Sequence, residues 1–285
     1  MIGIVTDSNS QLPPELQERY RVEVVPLTVV VDGVDHAEGV DLDADGFYAL
    51  FRDGNAPVVS TAQPSPGRFA EAYERVAARG ATEILSIHIG SAISGTLNSA
   101  RLAAADAPVP VHLVDTGTSS FGIACCVWEA GAAIARGADI KEAAAVAEAT
   151  GVTTDNVFVV KALDLARAGG RVVVRAEDAG GADGIPVLSL VGSDLKVLGL
   201  VRDVEEAADA MAAHATRPEL GDSLRVAVGI ADAAAAPLWT ALEAKVREHP
   251  SVVDVVRYRI GPSVGVHTGP GTAGAFSYPT SRALV

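Results

Sequence analysis

The sequence has only two cysteines, and they are adjacent, at Cys125 and Cys126. A redox pair or a zinc site needs spaced ligands, as in C-x-x-C. Free cysteine is among the residue types most often buried, so we interpret both as small core residues. We expect no metal ion and no cofactor.

Long hydrophobic runs are also missing. The apolar runs are short, whereas a bilayer-spanning helix needs about 20 consecutive apolar residues. The N-terminal MIGIVTDSNS has neither the basic region nor the extended apolar region of a signal peptide. We therefore expect no transmembrane segment and a cytoplasmic location.

Basic residues are in deficit. The chain has 22 Lys and Arg against 36 Asp and Glu, which gives a formal net charge of −14. A strongly negative protein repels phosphate groups, so nucleic acid and anionic membranes are not expected partners.

The 285 residues are 49% hydrophobic, enough for one large or two modest domains with a sizeable core. In the first half, short apolar runs are followed by loops rich in Ser, Thr, Asp and Gly and then by segments of helical periodicity. This alternation predicts a parallel sheet covered by helices on both faces. The predicted strands are at 2–5, 58–59, 84–89 and 111–114, with helices from Pro13-Pro14, after Pro66, near Asn98 and through Trp128.

The segment PLTVVVDGVDH predicts a β-hairpin outside this sheet, because Asp32-Gly33 suits a tight turn with positive φ angles. From about Asn156 hairpins mix with helices, and Asp203 with Glu206 forms a capping-box pattern at a helix start. The sequence therefore predicts an α/β protein of two domains. Residues 1–155 form an N-terminal α/β domain with a parallel sheet flanked by helices, and residues 156–285 form a C-terminal α/β domain with a mixed or antiparallel sheet.

DLDADG at 41–46 matches the first half of a calcium-binding loop. The twelfth position of such a loop must supply a bidentate carboxylate, and here it is Arg52. A cation would cancel the site, so we interpret Asp43 or Asp45 as a helix cap.

GSAISGT at 90–96 has the glycine spacing of a phosphate-binding loop, but Thr96 stands where that loop requires Lys. Nucleotide binding is therefore not expected. No dinucleotide-binding G-x-G-x-x-G and no hydrolase G-x-S-x-G occurs at a strand-to-helix turn.

Hydroxyl side chains follow four successive predicted strands. In VVSTAQPSPGRF, Ser65 before Pro66 is typical of a helix cap, but Thr61 lies too far from the helix to cap it. The carboxyl ends of strands in an open α/β sheet face the ligand crevice. Hydroxyls without nearby Lys or Arg favour a weakly charged group such as a carboxylate over a triphosphate.

His267 lies in VGVHTGPGTAG, which we interpret as a strand leading into a glycine-rich turn where a ligand could approach the backbone closely. A structural role for this histidine is the alternative. Arg171, in LARAGGRV, follows a helix ended by two glycines, with a plain surface arginine as its alternative.

Six motifs in chain order together resemble the DegV family: IVTDSNSQLP, STAQPSP, SGTLNSA, VDTGTSS, LARAGGRV and HTGPG. The resemblance implies a two-domain protein that binds one long-chain fatty acid between its domains. The acyl tail would lie in an apolar tunnel and the carboxylate at the strand ends. The family includes the fatty-acid-binding subunit of bacterial fatty acid kinase, whose separate ATP-binding subunit resembles dihydroxyacetone kinase and forms the acyl phosphate. The chain itself would then bind lipid without being an enzyme.

By the same resemblance, Thr61 and Ser94 match the positions whose hydroxyls bind the carboxylate. His267 and Arg171 match positions near the head group, and Arg202 matches the arginine associated with docking the kinase subunit. The chain departs from the family pattern at Ala62, where Ser is common, at Ile185, where Lys is common, and at Asp203, where a small or hydroxyl residue is usual.

Two other functions fit parts of the pattern. One is a serine hydrolase in which Ser94, His267 and either Asp115 or Asp7 form a triad. The other is a regulatory protein that binds a different carboxylate ligand.

Overall fold

A computed structural model of the chain describes residues 1–54, 56–160, 184–192 and 194–280. The chain divides into two compact units, Met1–Leu42 with Val58–Val152 and Asp43–Pro57 with Thr153–Val285. The second unit includes residues 43–57, which the predicted division at residue 155 places in the first domain. No helix in the described part of the chain combines the length and hydrophobicity that a membrane crossing requires.

The first unit is built on a parallel sheet of four strands, in the order β2-β1-β6-β7. This confirms the predicted parallel sheet. The strands are β1 (Ile2–Asp7), β2 (Glu23–Val25), β6 (Glu83–His88) and β7 (Val111–Asp115).

Helices cover both faces of this sheet, as the alternation predicts. The helices of the unit are α1 (Pro14–Tyr20), α3 (Pro66–Ala78), α4 (Thr96–Ala104), α5 (Phe121–Ala135) and α6 (Ile140–Thr153). Ile4 of β1 belongs to a core cluster with residues of α5 and α6, including Ile123. The next residue, Val5, belongs to a second cluster with α3 and α4, including Phe69. Successive side chains of a strand point to opposite faces, so β1 contributes to both layers.

The predicted hairpin forms a separate antiparallel sheet in the order β4-β3-β5. Its strands are β3 (Thr28–Val31), β4 (Val34–Ala37) and β5 (Val59–Ala62). Asp32 and Gly33 have φ angles of 49° and 83°, which confirms the turn of positive φ.

The assignment of β5 to the parallel sheet was wrong, because β5 pairs with β3 instead. Asp32 explains the pairing: its amide donates to the Val58 carbonyl and its carboxylate accepts from the Val58 amide, both at 2.9 Å. The turn residue of the hairpin therefore fixes the start of β5.

The second unit contains a six-stranded sheet in the order β10-β9-β8-β13-β11-β12. Only β11 and β12 are parallel, so the predicted mixed sheet is confirmed. The strands are β8 (Asp155–Val159), β9 (Ile185–Val191), β10 (Asp194–Val201), β11 (Leu224–Ile230), β12 (Val252–Arg259) and β13 (Ala273–Pro279).

The helices described in this unit are α2 (Ala44–Ala49), α7 (Val204–Ala215), α8 (Ala236–Glu248) and α9 (Pro262–Thr268). Asp43 caps α2 by accepting from the Gly46 amide at 2.7 Å, as predicted. Asp203 caps α7 by accepting from the Glu206 amide at 2.9 Å. The Glu206 carboxylate accepts from the Arg202 amide, one residue before the position that a capping box predicts.

The segment that carries His267 is the helix α9, so its interpretation as a strand was wrong. Pro262 occupies the first helical position and Gly261 is the N-cap. Gly269 ends the helix with a φ of 73°. Proline at the start and glycine just past the end are typical of a helix, whereas a short apolar run such as VGV does not distinguish helix from strand.

Candidate functional site

The loops after β6 and β7 are in direct backbone contact. The Gly90 amide donates to the Thr118 carbonyl at 2.8 Å, and the Thr116 hydroxyl donates to the His88 carbonyl at 2.8 Å. A Cβ atom on Gly90 would lie 2.9 Å from the carbonyl carbon of Gly117, closer than real Cβ contacts allow. Glycine at position 90 is therefore a requirement of the contact between the two loops.

Ser94 lies in the turn that leads from this contact into α4. The Gly90 carbonyl accepts from the Ile93 amide at 2.9 Å and from the Ser94 amide at 3.1 Å. The Ser94 hydroxyl lies 2.9 Å from the Thr96 hydroxyl and accepts from the Thr96 amide at 3.3 Å. Ser94 is partly buried and Thr96 is buried. The serine hydroxyl is thus held at the first turn of α4, the end of a helix that favours negative charge.

Thr61 lies on β5, opposite Val29 of β3, and is partly buried. Ser60 beside it is exposed. Ser65 caps α3 by accepting from the Arg68 amide at 3.4 Å, which confirms its predicted role.

The loop after Thr61 contacts the first turn of α4 through Gln63. The Gln63 side-chain amide donates to the Ser99 hydroxyl at 3.2 Å. The same side chain lies over Gly95, where a Cβ atom would be 2.1 Å from its oxygen. Within the first unit, the structure therefore brings the loop that follows β5 and Thr61 against Gly95, the residue after Ser94. Sequence reasoning missed Gln63 and Gly95, since nothing local indicates that they meet.

A buried chain of polar side chains lies at the ends of β1 and β6. Tyr73 and Ser86 join their hydroxyls at 3.0 Å, and the Ser86 hydroxyl lies 2.6 Å from His88 Nε2. His88 Nδ1 lies 2.9 Å from the Asp7 carboxylate, which also accepts from the Ile89 amide at 3.1 Å. The four side chains of this hydrogen-bonded series are fully buried: Tyr73, Ser86, His88 and Asp7.

Burial raises the pKa of Tyr73 to about 12, although its hydrogen bond to Ser86 acts in the opposite direction. Tyr73 therefore stays protonated at neutral pH. At the other end of the chain, Asp7 accepts from the Asn9 amide at 3.2 Å, and the Asn9 side-chain oxygen accepts from the Ser120 amide at 2.9 Å. Ser120 has a φ of 54° and precedes α5. The polar chain thus joins the strand ends to the start of α5.

Both aspartates of the hydrolase interpretation have other partners. Asp7 bonds His88, whose second ring nitrogen bonds Ser86 and not Ser94. Asp115 accepts from the Ser91 amide at 3.1 Å and the Ser91 hydroxyl at 2.5 Å. Within the first unit, these contacts do not support a catalytic triad that contains Ser94.

In the second unit, His267 lies in the last turn of α9 and is partly buried. The helix packs closely on α2: a Cβ atom on Gly265 would lie 2.6 Å from the Phe47 ring and 2.7 Å from the Tyr48 hydroxyl. The turn after α9 is held by Asp232, which accepts from the Gly271 amide at 2.9 Å. His267 is therefore carried by a closely packed segment.

The structure describes one of the two arginines that the sequence predicts to be functional. The Arg202 side chain is 83% exposed and pairs with Glu206, with 2.7 Å between Nε and Oε1. Arg171 lies outside the described residues. No group of three His, Cys, Asp or Glu side chains that could hold a metal ion occurs in the described ranges.

Comparison with known proteins points to one family. The family model described as "Uncharacterised protein, DegV family" matches residues 1–280. A DegV domain-containing protein of Streptomyces coelicolor is 34% identical over 275 residues, 96% of each chain. Another, from Deinococcus radiodurans, is 35% identical over 282 residues, 98% of this chain and 99% of that protein.

Solved structures agree with this match. A fatty-acid-binding DegV family protein from Thermus thermophilus has a TM-score of 0.85 and 31% identity, over 98% of this chain and 99% of that one. A DegV lipid-binding protein from Thermotoga maritima also has a TM-score of 0.85, with 26% identity, over 97% of this chain and 98% of that one.

Proposed function

The chain belongs to the DegV family, and from this membership we propose that it binds a long-chain fatty acid such as palmitate. The proposal assigns the ligand carboxylate to the hydroxyls of Thr61 and Ser94. The observation that carries it is the contact of Gln63 with Gly95 and Ser99, which joins the loops of the two hydroxyls within one unit. The Thermus relative, described as fatty-acid-binding, supports the ligand class.

The chemistry of the loops suits a single carboxylate. Neither STAQPS at 60–65 nor GSAISGT at 90–96 contains Lys or Arg, so the donors are neutral hydroxyls and backbone amides. A hydrogen bond to a charged group contributes about 1.5–3 kcal/mol, so several such donors together can compensate for taking one carboxylate out of water. A triphosphate would need cations that these loops lack.

The acyl tail supplies most of the affinity in this proposal. Each buried methylene contributes about 0.8 kcal/mol, so the tail of palmitate outweighs two or three head-group hydrogen bonds. The hydroxyls therefore orient the carboxylate more than they strengthen binding. His267 and Arg171 are proposed to lie near the head group, where they would add charge or a proton.

The chain is proposed to act as a lipid-binding subunit in cytoplasmic fatty acid metabolism, with a separate ATP-dependent kinase subunit phosphorylating the bound acid. The sequence favours a separate kinase subunit, because this chain lacks the Lys of a phosphate-binding loop. Thr96 stands where a phosphate-binding loop requires Lys, and its hydroxyl bonds Ser94 within the helix start. Arg202, exposed on the second unit, is the proposed docking residue for that kinase.

Native mass spectrometry of the recombinant protein tests the ligand. We expect a long-chain fatty acid in the organic extract, and rebinding of palmitate by the delipidated protein. Delipidated protein that is folded by circular dichroism and still fails to bind any long-chain fatty acid would exclude the proposal. A different carboxylate in the extract would indicate the regulatory function instead.

A further inference from the structure

We propose that Asp115 is a positioning residue for the turn that carries Ser94. The inference rests on the fatty-acid binding proposed above. It assigns a role to an exposed carboxylate that sequence reasoning considered only as a triad acid.

Asp115 is the last residue of β7, and its carboxylate collects three donors from two loops. One oxygen accepts from the Ser91 amide and from the Gly117 amide, both at 3.1 Å. The other accepts from the Ser91 hydroxyl at 2.5 Å. The side chain therefore ties the loop after β6 to the loop after β7.

Ser91, which bonds Asp115, is connected to Ser94 through one turn of backbone. Ser91 follows Gly90, whose carbonyl accepts from the Ile93 and Ser94 amides. Gly90 is itself pressed against the Gly117 backbone. A shift of Ser91 relative to β7 would therefore displace the turn that ends at Ser94.

Asp115 and Ser91 are both exposed, so neither side chain belongs to the hydrophobic core. Loss of their hydrogen bonds should therefore affect the position of the loops more than the stability of the core. A negative side chain at the end of a strand near the proposed carboxylate site weakens the electrostatic attraction for that ligand. Any contribution of Asp115 to palmitate binding therefore comes from its hydrogen bonds, because its negative charge repels the ligand carboxylate.

Two substitutions separate the bonds from the charge. Asp115→Ala removes all three bonds and the charge, whereas Asp115→Asn removes the charge but can keep all three, since its amide group can donate to the Ser91 hydroxyl. Asp106→Ala is the matched control, because Asp106 is an exposed acid of the same unit.

Palmitate and hexadecanol are titrated into delipidated wild-type and variant protein. The alcohol has the same tail and no carboxylate, so its affinity reports binding of the tail and integrity of the fold. We expect Asp115→Ala to bind palmitate about tenfold more weakly, the loss of roughly one charge-assisted hydrogen bond. Asp115→Asn should stay within about threefold of wild type, and Asp106→Ala should be unchanged. Hexadecanol affinity should not change in any variant.

Three outcomes overturn the inference. Tighter palmitate binding by both Asp115 variants would show that the charge dominates. Equal losses for palmitate and hexadecanol in Asp115→Ala would show a general structural role. Unchanged palmitate binding in Asp115→Ala would show that the tie does not position Ser94. If wild-type protein binds no palmitate, the proposed function fails first, and the inference fails with it.

Discussion

Replacing Asp7 by Asn tests whether the buried polar chain holds the strand ends together. The Asp7 carboxylate accepts from the Asn9 amide on one oxygen, and from the Ile89 amide and His88 on the other. An asparagine has one oxygen and one amino group, so in either orientation the amino group faces a buried backbone N–H. One donor is then left unsatisfied in a fully buried site.

The magnitude follows from this count. An unsatisfied buried amide costs about 1–3 kcal/mol, and neutral bonds replacing charge-assisted ones cost about 1 kcal/mol more. The free energy of unfolding of the first unit should therefore fall by about 2–4 kcal/mol.

The two tryptophans allow this unit to be followed separately. Trp128 lies on α5 in the first unit and Trp239 on α8 in the second. In a Trp239→Phe background, Trp128 fluorescence during urea unfolding reports the first unit. The control Asp106→Asn, on an exposed side chain, should shift stability by less than about 0.5 kcal/mol. If Asp7→Asn shifts it no more than this control does, the polar chain does not anchor the strand ends.

Further predictions concern the loops, pH and the kinase. Gly90→Ala should lower the melting temperature, at a cost of about 1–3 kcal/mol, because its Cβ atom would meet the backbone of the next loop; an unchanged thermal melt would contradict the contact. Burial acts to raise the pKa of Asp155, but hydrogen bonds from His214 and Arg217 hold it below its ordinary value. The stabilisation is therefore present above the ordinary carboxyl value of about 4 and is lost as the pH falls through the lowered one. Asp155→Asn should remove this part of the acid dependence of unfolding, and identical pH profiles would contradict it. Arg202→Ala should leave palmitate affinity unchanged and reduce acyl-phosphate formation with a cognate kinase, whereas unchanged phosphorylation would remove the docking assignment.

Local patterns predicted the elements that depend on local chemistry. The structure confirms the Asp32-Gly33 turn, the caps at Asp43 and Ser65, and the alternation of strands and helices at β1, β6 and β7. Each is determined by a few neighbouring residues, so its signal is present in a short window of sequence.

The features that the sequence did not predict depend on contacts between residues far apart in the chain. β5 pairs with β3, and nothing in the residues of β5 distinguishes that neighbour from the parallel sheet. The buried chain joins Tyr73, Ser86, His88 and Asp7 from three separate segments. Periodicity indicates which side chains are buried, but it does not show which polar groups meet. The same holds for Gln63 and Gly95, whose contact links the two predicted hydroxyl loops.

The central claim is that the Thr61 and Ser94 hydroxyls recognise a fatty-acid carboxylate. The most direct measurement compares palmitate and hexadecanol affinities of delipidated wild type with those of a Thr61→Val, Ser94→Ala double variant. Ser60→Ala, which removes an exposed hydroxyl beside Thr61, is the control. We expect palmitate to bind the double variant at least about tenfold more weakly, with hexadecanol and the control unchanged. Equal palmitate affinity in wild type and double variant would contradict the account.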